Sequence, residues 1–212
     1  MNSALVVIDV QNSFLQLPDW RHTSRPDIVP RVNRLAAAAR NAGDAVVWVL
    51  GSRPGSGSVF DPARGFVRLM DGIRPLDDEP VLTKTAHNAF TTTGLHRFLT
   101  RRGVRKLTVC GIRTEQCCET TARLASDLGF EVDFAIDATA TTPIPHRDAP
   151  DDLPFDELVQ DPRTLGVDEI VDRTAYALSG RFATVKTVAE LTGTPEPTGN
   201  PEPTGNPGLT GD

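Results

Sequence analysis

The feature that most constrains the fold is a set of short, almost fully apolar segments that alternate with helical patterns. The first, residues 4–10, is rich in β-branched residues and interrupted only by Asp9. An apolar run of this length fits a strand that is buried on both faces of a parallel sheet. The same reasoning predicts further strands at residues 45–50, 80–83, 106–110, 131–136 and 182–185.

Helical patterns lie between these strands. Residues 28–42 are alanine-rich and amphipathic, with Pro30 in the first turn and Gly43 just beyond the end, as helix chemistry prefers. Strands that alternate with helices imply right-handed β-α-β crossovers and helices on both faces of the sheet. The sequence therefore predicts an α/β fold with three layers, α/β/α, around a six-stranded parallel sheet. The other helices are predicted at residues 94–102, 115–128 and 167–178.

The 212 residues suffice for one domain with a full core, which we assign to residues 1–193. Residues 194–212 contain the hexapeptide Pro-Glu-Pro-Thr-Gly-Asn twice and lack apolar periodicity, so we predict a disordered tail there. Two long connections, 51–78 and 143–166, interrupt the alternation. Connections of that length are often lids or binding loops, and the second could instead contact a neighbouring subunit.

Charge and hydropathy exclude two classes of partner. The net charge is −6 and no basic stripe is present, which argues against nucleic-acid binding. No apolar run approaches the roughly 18 residues of a membrane span, and the N-terminal residues lack a signal-peptide pattern. We therefore expect a cytoplasmic protein that binds a small molecule and neither a nucleic acid nor a membrane.

Three reactive residues follow different predicted strands. Asp9 ends the first strand, Lys84 follows the third, and Cys117 lies in the first turn of the helix after the fourth. Ligands of such sheets bind beyond the carboxyl ends of the strands, so all three residues belong at one edge. Asp9 lies in a strongly apolar run, where a carboxylate needs a hydrogen-bonded or charged partner.

The surroundings of Cys117 suggest a nucleophile. Residues 111–114 form a tight turn in which Thr114 is a natural N-cap, so Cys117 falls at about the third helical position. A helix N-terminus lowers the pKa of a thiol, and its free N–H groups can form an oxyanion hole. Asp9 could accept the thiol proton, and Lys84 could keep Asp9 ionised.

The residues alone leave other interpretations open. Asp9 and Lys84 could form a purely structural ion pair, and Cys117 could be inert, form a dyad with His87, or enter a disulfide. Cys110 and Cys118 are expected to pack in the core. No histidines and carboxylates occur at metal-ligand spacing, so neither a metal nor a cofactor is predicted.

Three segments together resemble the isochorismatase-like cysteine hydrolases, which include nicotinamidases, N-carbamoylsarcosine amidohydrolases and isochorismatases. They are ALVVIDVQNSF at 4–14, KTAHNAF at 84–90 and GIRTEQCCETTA at 111–122. The resemblance implies a six-stranded parallel sheet in a Rossmann-like order, assembly as a homodimer or homotetramer, and a cofactor-free triad of Asp9, Lys84 and Cys117.

The resemblance also implies details of the site. It implies a cis peptide at Ile112–Arg113 and an oxyanion held by the backbone amides of Arg113 and Cys117. It places Phe14 and Phe90 in the substrate pocket, and Phe60 and Gln116 are further candidates. The Asp-x-His metal motif of nicotinamidases is replaced here by Gly51-Ser52-Arg53.

The leading functional hypothesis is hydrolysis of a C–N bond in a small amide, carbamoyl or cyclic-imide compound through a thioester at Cys117. One alternative is isochorismatase-type vinyl-ether hydrolysis with Asp9 as general acid. Another is a non-catalytic member of the same fold. Arg53 and Arg113 are candidates for binding a substrate carboxylate.

Overall fold

Six parallel strands form the centre of the protein, as predicted. The computed structural model describes residues 2–150 and 152–195. The strands run in the order β3-β2-β1-β4-β5-β6, so the first strand is central and the chain winds outward from it in both directions. Their bounds are β1 Ser3–Ile8, β2 Ala45–Gly51, β3 Val81–Lys84, β4 Lys106–Ile112, β5 Glu131–Ala140 and β6 Thr184–Lys186.

The central strand explains why the fold has three layers. Side chains alternate between the two faces of a strand, and in β1 both faces are apolar. Val6 and Ile8 belong to one core cluster, Leu5 and Val7 to the other, and all four are buried. Because full burial of each such side chain contributes about 1.5–3 kcal/mol, both faces must be covered by helices.

The helices provide that cover. The helices α1 and α6 pack on the face of Leu5 and Val7, and α2, α3 and α5 pack on the opposite face. The short helices α4 and α6 were not predicted, and the predicted helix 115–128 begins instead with a π-helical turn, Thr114–Cys118. The bounds are α1 Ile28–Asn41, α2 Leu95–Arg101, α3 Glu119–Asp127, α4 Phe155–Leu158, α5 Val167–Leu178 and α6 Val188–Thr192.

The two long connections are held against the carboxyl edge of the sheet. The first is fastened to the end of β1, where Asn12 N donates to Arg68 O at 2.9 Å and Met70 N to Val10 O at 3.0 Å. The second contains α4, whose Asp156 forms an ion pair with Arg21 and a hydrogen bond with His22 of the 3₁₀ turn Pro18–His22.

The predicted disordered tail, 194–212, lies outside the described residues except for its first two. Within the described residues, no helix has the length and hydropathy that crossing a membrane requires.

Candidate active site

A cavity of about 380 Å³ lies at the carboxyl edge of the sheet, where β1 to β4 end. Asp9 follows β1, Lys84 is the last residue of β3, and Cys117 lies five residues after β4. All three line the cavity, so the structure brings the predicted triad together. The strand order is the reason, because β1 lies between β2 and β4 and β3 pairs with β2.

Asp9 and Lys84 form a buried ion pair. Lys84 Nζ lies 2.8 Å from Asp9 Oδ2, and each side chain is only 3% exposed. Asp9 has a backbone φ of 56°, a left-handed conformation that aspartate tolerates better than most residues. Gly51 leaves room for the carboxylate, since a Cβ there would lie 3.2 Å from Asp9 Oδ1. That oxygen is buried and has no hydrogen-bond partner among the described residues.

Lys84 connects the carboxylate to the thiol. Its ammonium donates to Cys117 Sγ at 3.3 Å and to the carbonyl of Ala86 at 3.1 Å. Three partners therefore fix the ammonium between Asp9 and Cys117. An ion pair that served only stability would not require contact with the sulfur.

The π-helical turn places Cys117 at the cavity. Cys118 N donates to Arg113 O at 3.1 Å, the i to i+5 contact that defines such a turn. Thr121 Oγ1 donates to the carbonyl of Cys117 at 2.6 Å and holds the end of the turn. Cys117 is partly exposed, whereas Cys118 and Cys110 are fully buried in the cores on opposite faces of the sheet, as predicted. None of the three cysteines is in a disulfide.

The electrostatics of the triad correct one prediction. Burial, as the largest cause, and the Asp9 carboxylate together raise the pKa of the Cys117 thiol to about 12, against the opposing effect of Lys84. The sequence predicted a lowered pKa at this helix N-terminus, whereas desolvation and the neighbouring carboxylate raise the pKa of the thiol. At rest Cys117 is therefore a thiol and not a thiolate.

The pKa values of the Asp9 carboxyl and the Lys84 ammonium are shifted as well. Burial raises the pKa of Asp9, and Lys84 only partly offsets the rise, so the carboxylate is a stronger base than an exposed one. Burial disfavours the charge on Lys84, but Asp9 and Cys117 outweigh it and raise the pKa of the lysine. The pair thus combines a permanent cation with a carboxylate that readily accepts a proton.

Three of the four predicted substrate-binding residues line the cavity, namely Phe14, Phe60 and Gln116. The rings of Phe14 and Phe60 meet edge to face, with centroids 5.2 Å apart. The prediction for Phe90 is wrong in this structure, because its side chain points into the core and stacks on Phe130 at 6.1 Å. His87 also lines the cavity.

The turn that carries the predicted oxyanion hole is tied down by a network that the sequence did not reveal. The Ile112–Arg113 peptide is cis, as the resemblance implied. The Arg113 guanidinium donates to Asp19 and to Thr142, and Thr142 Oγ1 donates to Asp19 at 2.9 Å. Asp19 lies in a 3₁₀ turn far from Arg113 in sequence, and no motif marks it.

Gln11 is a second residue that sequence reasoning missed. It is fully buried, accepts from Gly51 N at 2.7 Å and donates to Gly51 O at 3.0 Å. These two hydrogen bonds join the end of β2 to the segment after β1. They fix the position of Gly51, which lies against the Asp9 carboxylate. In the sequence, the sign of this role was the position of Gln11, two residues after Asp9 and just beyond a buried strand.

No three side chains of the types His, Cys, Asp and Glu lie together in a way that could hold a metal ion within residues 2–150 and 152–195. At the place of the nicotinamidase metal motif, Gly51, Ser52 and Arg53 line the cavity. Glycine has no side chain, and neither the serine hydroxyl nor the arginine guanidinium is a usual metal ligand.

The chain is similar to known proteins over most of its length. The isochorismatase domain profile matches residues 3–150. The uncharacterized isochorismatase family protein YddQ of Bacillus subtilis is 29% identical over 88% of this chain and 97% of its own length. Streptothricin hydrolase of Streptomyces noursei is 37% identical over 67% of this chain, which spans only 51% of that enzyme. The crystal structure of an isochorismatase from Pseudomonas putida has a TM-score of 0.75 and 28% identity, covering 89% of each chain.

Proposed function

Because the chain belongs to the isochorismatase family of hydrolases, we propose that it cleaves a C–N bond of a small amide, carbamoyl or cyclic-imide compound through a thioester at Cys117. The observation that carries the proposal is the contact chain from Asp9 through Lys84 Nζ to Cys117 Sγ, at 2.8 and 3.3 Å, on the wall of a cavity. The name of the streptothricin hydrolase supports hydrolytic chemistry in a relative.

Acylation begins with the thiol, because the raised pKa of Cys117 leaves it protonated at neutral pH. Sγ attacks the carbonyl carbon while the thiol proton passes to Asp9, whose Oδ1 has no other partner in the described chain. The carbonyl electrons move to oxygen, where the amides of Arg113 and Cys117 are the proposed donors. Asp9 then returns the proton to the nitrogen as the C–N bond breaks and the amine leaves.

Deacylation reverses these roles. A water molecule attacks the thioester carbon and gives a proton to Asp9, the C–S bond breaks, and Asp9 returns the proton to Sγ. The products are a carboxylic acid and the free enzyme. Lys84 stays charged throughout and stabilises the sulfur when it carries negative charge.

The test is release of ammonia or amine from a panel of small amides, combined with mass spectrometry of the protein. We expect hydrolysis by the wild type, a transient acyl adduct on Cys117, and at least a 10³-fold loss of rate in Cys117→Ala. Cys118→Ala, which removes the neighbouring buried thiol, should keep activity if the variant remains folded. Hydrolysis that survives in Cys117→Ala contradicts a thioester.

Vinyl-ether hydrolysis is the second candidate, and the raised pKa of Asp9 favours it because that reaction needs a carboxylic acid as proton donor. The two reactions respond differently to one substitution. Cys117→Ala abolishes amide hydrolysis but spares cleavage of isochorismate.

A further inference from the structure

We propose that the substrate carries a carboxylate, and that Arg53, with the hydroxyl of Ser52 beside it, binds this group while Cys117 attacks the carbonyl at the other end of the molecule. The proposal names a substrate class for the hydrolase proposed above and rests on that function. Its first support is the excess of positive over negative charge around the cavity.

Arg53 is a cation of the cavity wall that has no counterion among residues 2–150 and 152–195. The charge of Lys84 is compensated by Asp9, and that of Arg113 by Asp19. Arg53 lines the same cavity, is exposed, and forms no ion pair with any carboxylate in the described part of the chain. The cavity therefore carries excess positive charge, which favours an anionic ligand.

The backbone of Arg53 is held on both sides. Its N–H donates to Phe60 O at 2.8 Å, and its carbonyl accepts from Ser56 N at 3.2 Å and from Ser56 Oγ at 2.7 Å. The guanidinium carbon lies 5.8 Å from the centroid of the Phe60 ring. Because the backbone here is already ordered, binding an anion costs less conformational entropy than it would on a free loop.

Ser52 gives a second, independent indication of a ligand. The residue is only 4% exposed, lines the cavity, and its hydroxyl has no hydrogen-bond partner among the described residues. Its N–H donates to Lys84 O at 2.8 Å, which fixes it beside the triad. Buried hydroxyls without partners are rare, and a carboxylate oxygen would be a suitable acceptor.

The remaining walls limit the size of the substrate. The cavity of about 380 Å³ fits a small molecule better than a peptide or a nucleic acid. The wall also includes the rings of Phe14 and Phe60, and Phe60 is the ring beside the Arg53 guanidinium. A short amide with an apolar spacer and a terminal carboxylate suits a wall that combines the thiol, these rings and a cation.

Two thiol reagents with the same reactive group test the subsite without knowledge of the substrate. Both 2-carboxyethyl and 2-hydroxyethyl methanethiosulfonate convert the Cys117 thiol to a mixed disulfide and release methanesulfinate, and they differ only in the charged end. Mass spectrometry gives the rate constant of each reaction at Cys117. The rate constant of the carboxyethyl reagent divided by that of the hydroxyethyl reagent measures how strongly the site attracts a carboxylate.

We expect the ratio to fall about tenfold in Arg53→Gln and to recover in Arg53→Lys, since a charge-assisted contact is lost and then restored. Arg97→Gln, which removes the same charge from the exposed face of α2, should leave the ratio unchanged. An equal ratio in Arg53→Gln and in the wild type overturns the proposal, as does an equal fall in Arg97→Gln.

Equilibrium binding separates this proposal from the proposed function. In the Cys117→Ala protein, calorimetric titration should show that succinamate binds at least about tenfold more tightly than the neutral succinamide, and that Arg53→Gln removes the preference. Absence of succinamate binding, or binding without preference, overturns the subsite. Preference for succinamate together with failure to hydrolyse any amide retains the subsite and rejects the amidase.

Discussion

At the scale of single residues, the protonation of Cys117 and Asp9 decides how the site works. Asp9 raises the pKa of the thiol, and burial raises the pKa of both groups. The carboxylate thus disfavours the resting thiolate, and in the proposed mechanism it is also the base that removes the thiol proton during attack. Asp9 therefore lowers the reactivity of the resting Cys117 thiol but assists the proposed hydrolysis.

Substitution of Asp9 should separate these two effects. In Asp9→Asn we expect hydrolysis to fall at least 10²-fold, because the base is lost. Iodoacetamide should modify Cys117 faster than in the wild type at pH 8, because a charge that raises the thiol pKa is gone. Steady-state rates and mass spectrometry of the alkylated protein check both parts. Alkylation that slows together with hydrolysis contradicts this account of Asp9.

The pH dependence of alkylation follows from the same pKa. With the thiol pKa at about 12, the thiolate fraction of the folded protein should grow about tenfold per pH unit from pH 7 to 10. The rate of Cys117 alkylation should rise in parallel without a plateau. In urea the rate should level off above the ordinary thiol pKa of about 8.5. A plateau below pH 9 in the folded protein would show that Lys84 lowers the pKa of the Cys117 thiol more than burial raises it.

The sequence revealed the positions of Asp9, Lys84 and Cys117 because each follows an apolar strand, and parallel strands end at a common edge. It did not reveal the direction in which the thiol pKa shifts, because burial depends on residues from several elements. The error for Phe90 has a similar cause. A motif gives the place of a residue in the chain but not the side of the loop on which its ring packs.

At the scale of elements, β1 and β4 approach each other closely beside the site. Gly111 pairs with Ile8 and has a φ of 128°, and a Cβ at this position would lie 1.9 Å from Ile8 O. The register of β4 against β5 also shifts at this point. Glycine therefore allows β4 to approach β1 directly before the turn to Cys117.

We expect Gly111→Ala to destabilise the protein by at least about 3 kcal/mol, because the clash is with backbone and cannot be relieved by a rotamer change. Gly94→Ala is the matched control, with a φ of −84° and no atom within 4 Å of the added Cβ. It should change stability by less than about 1 kcal/mol. Urea unfolding measures both, and equal effects would contradict the close approach.

The strands and long helices could be predicted from apolar periodicity, since their patterns are strong. The π-helical turn Thr114–Cys118 could not, because the sequence around it also fits a regular helix. The helix α6 is only five residues long, and its capping box at Thr187 and Glu190 was the available signal. Short elements depend on packing more than on periodicity.

At the scale of the whole molecule, contacts between distant segments support the site from outside. Asp156 of α4 pairs with Arg21 at 2.8 Å and His22 at 2.7 Å. The same 3₁₀ turn presents Asp19 to Arg113. The connection 143–166 thus contacts the turn that secures the proposed oxyanion hole, although none of its described residues lines the cavity.

The assembly of the protein stays a prediction. From the family resemblance we propose a homodimer or homotetramer, and exposed apolar side chains such as Leu76 and Val81 are available for a subunit contact. Light scattering after size-exclusion chromatography should give two or four times the mass of the chain at micromolar concentration. A single-chain mass at every concentration tested would contradict this expectation.

Lys84 belongs to β3, a strand of only four residues at the margin of the sheet that pairs with β2 alone. If β3 separated from β2, the central strands would stay in place. Asp9 and Cys117 would then lose the Lys84 ammonium that contacts both of them. Loss of function on heating should therefore precede loss of secondary structure. The useful working temperature of such a catalyst is then set by the edge strand that carries Lys84, and engineering for durability should begin with the pairing of β2 and β3.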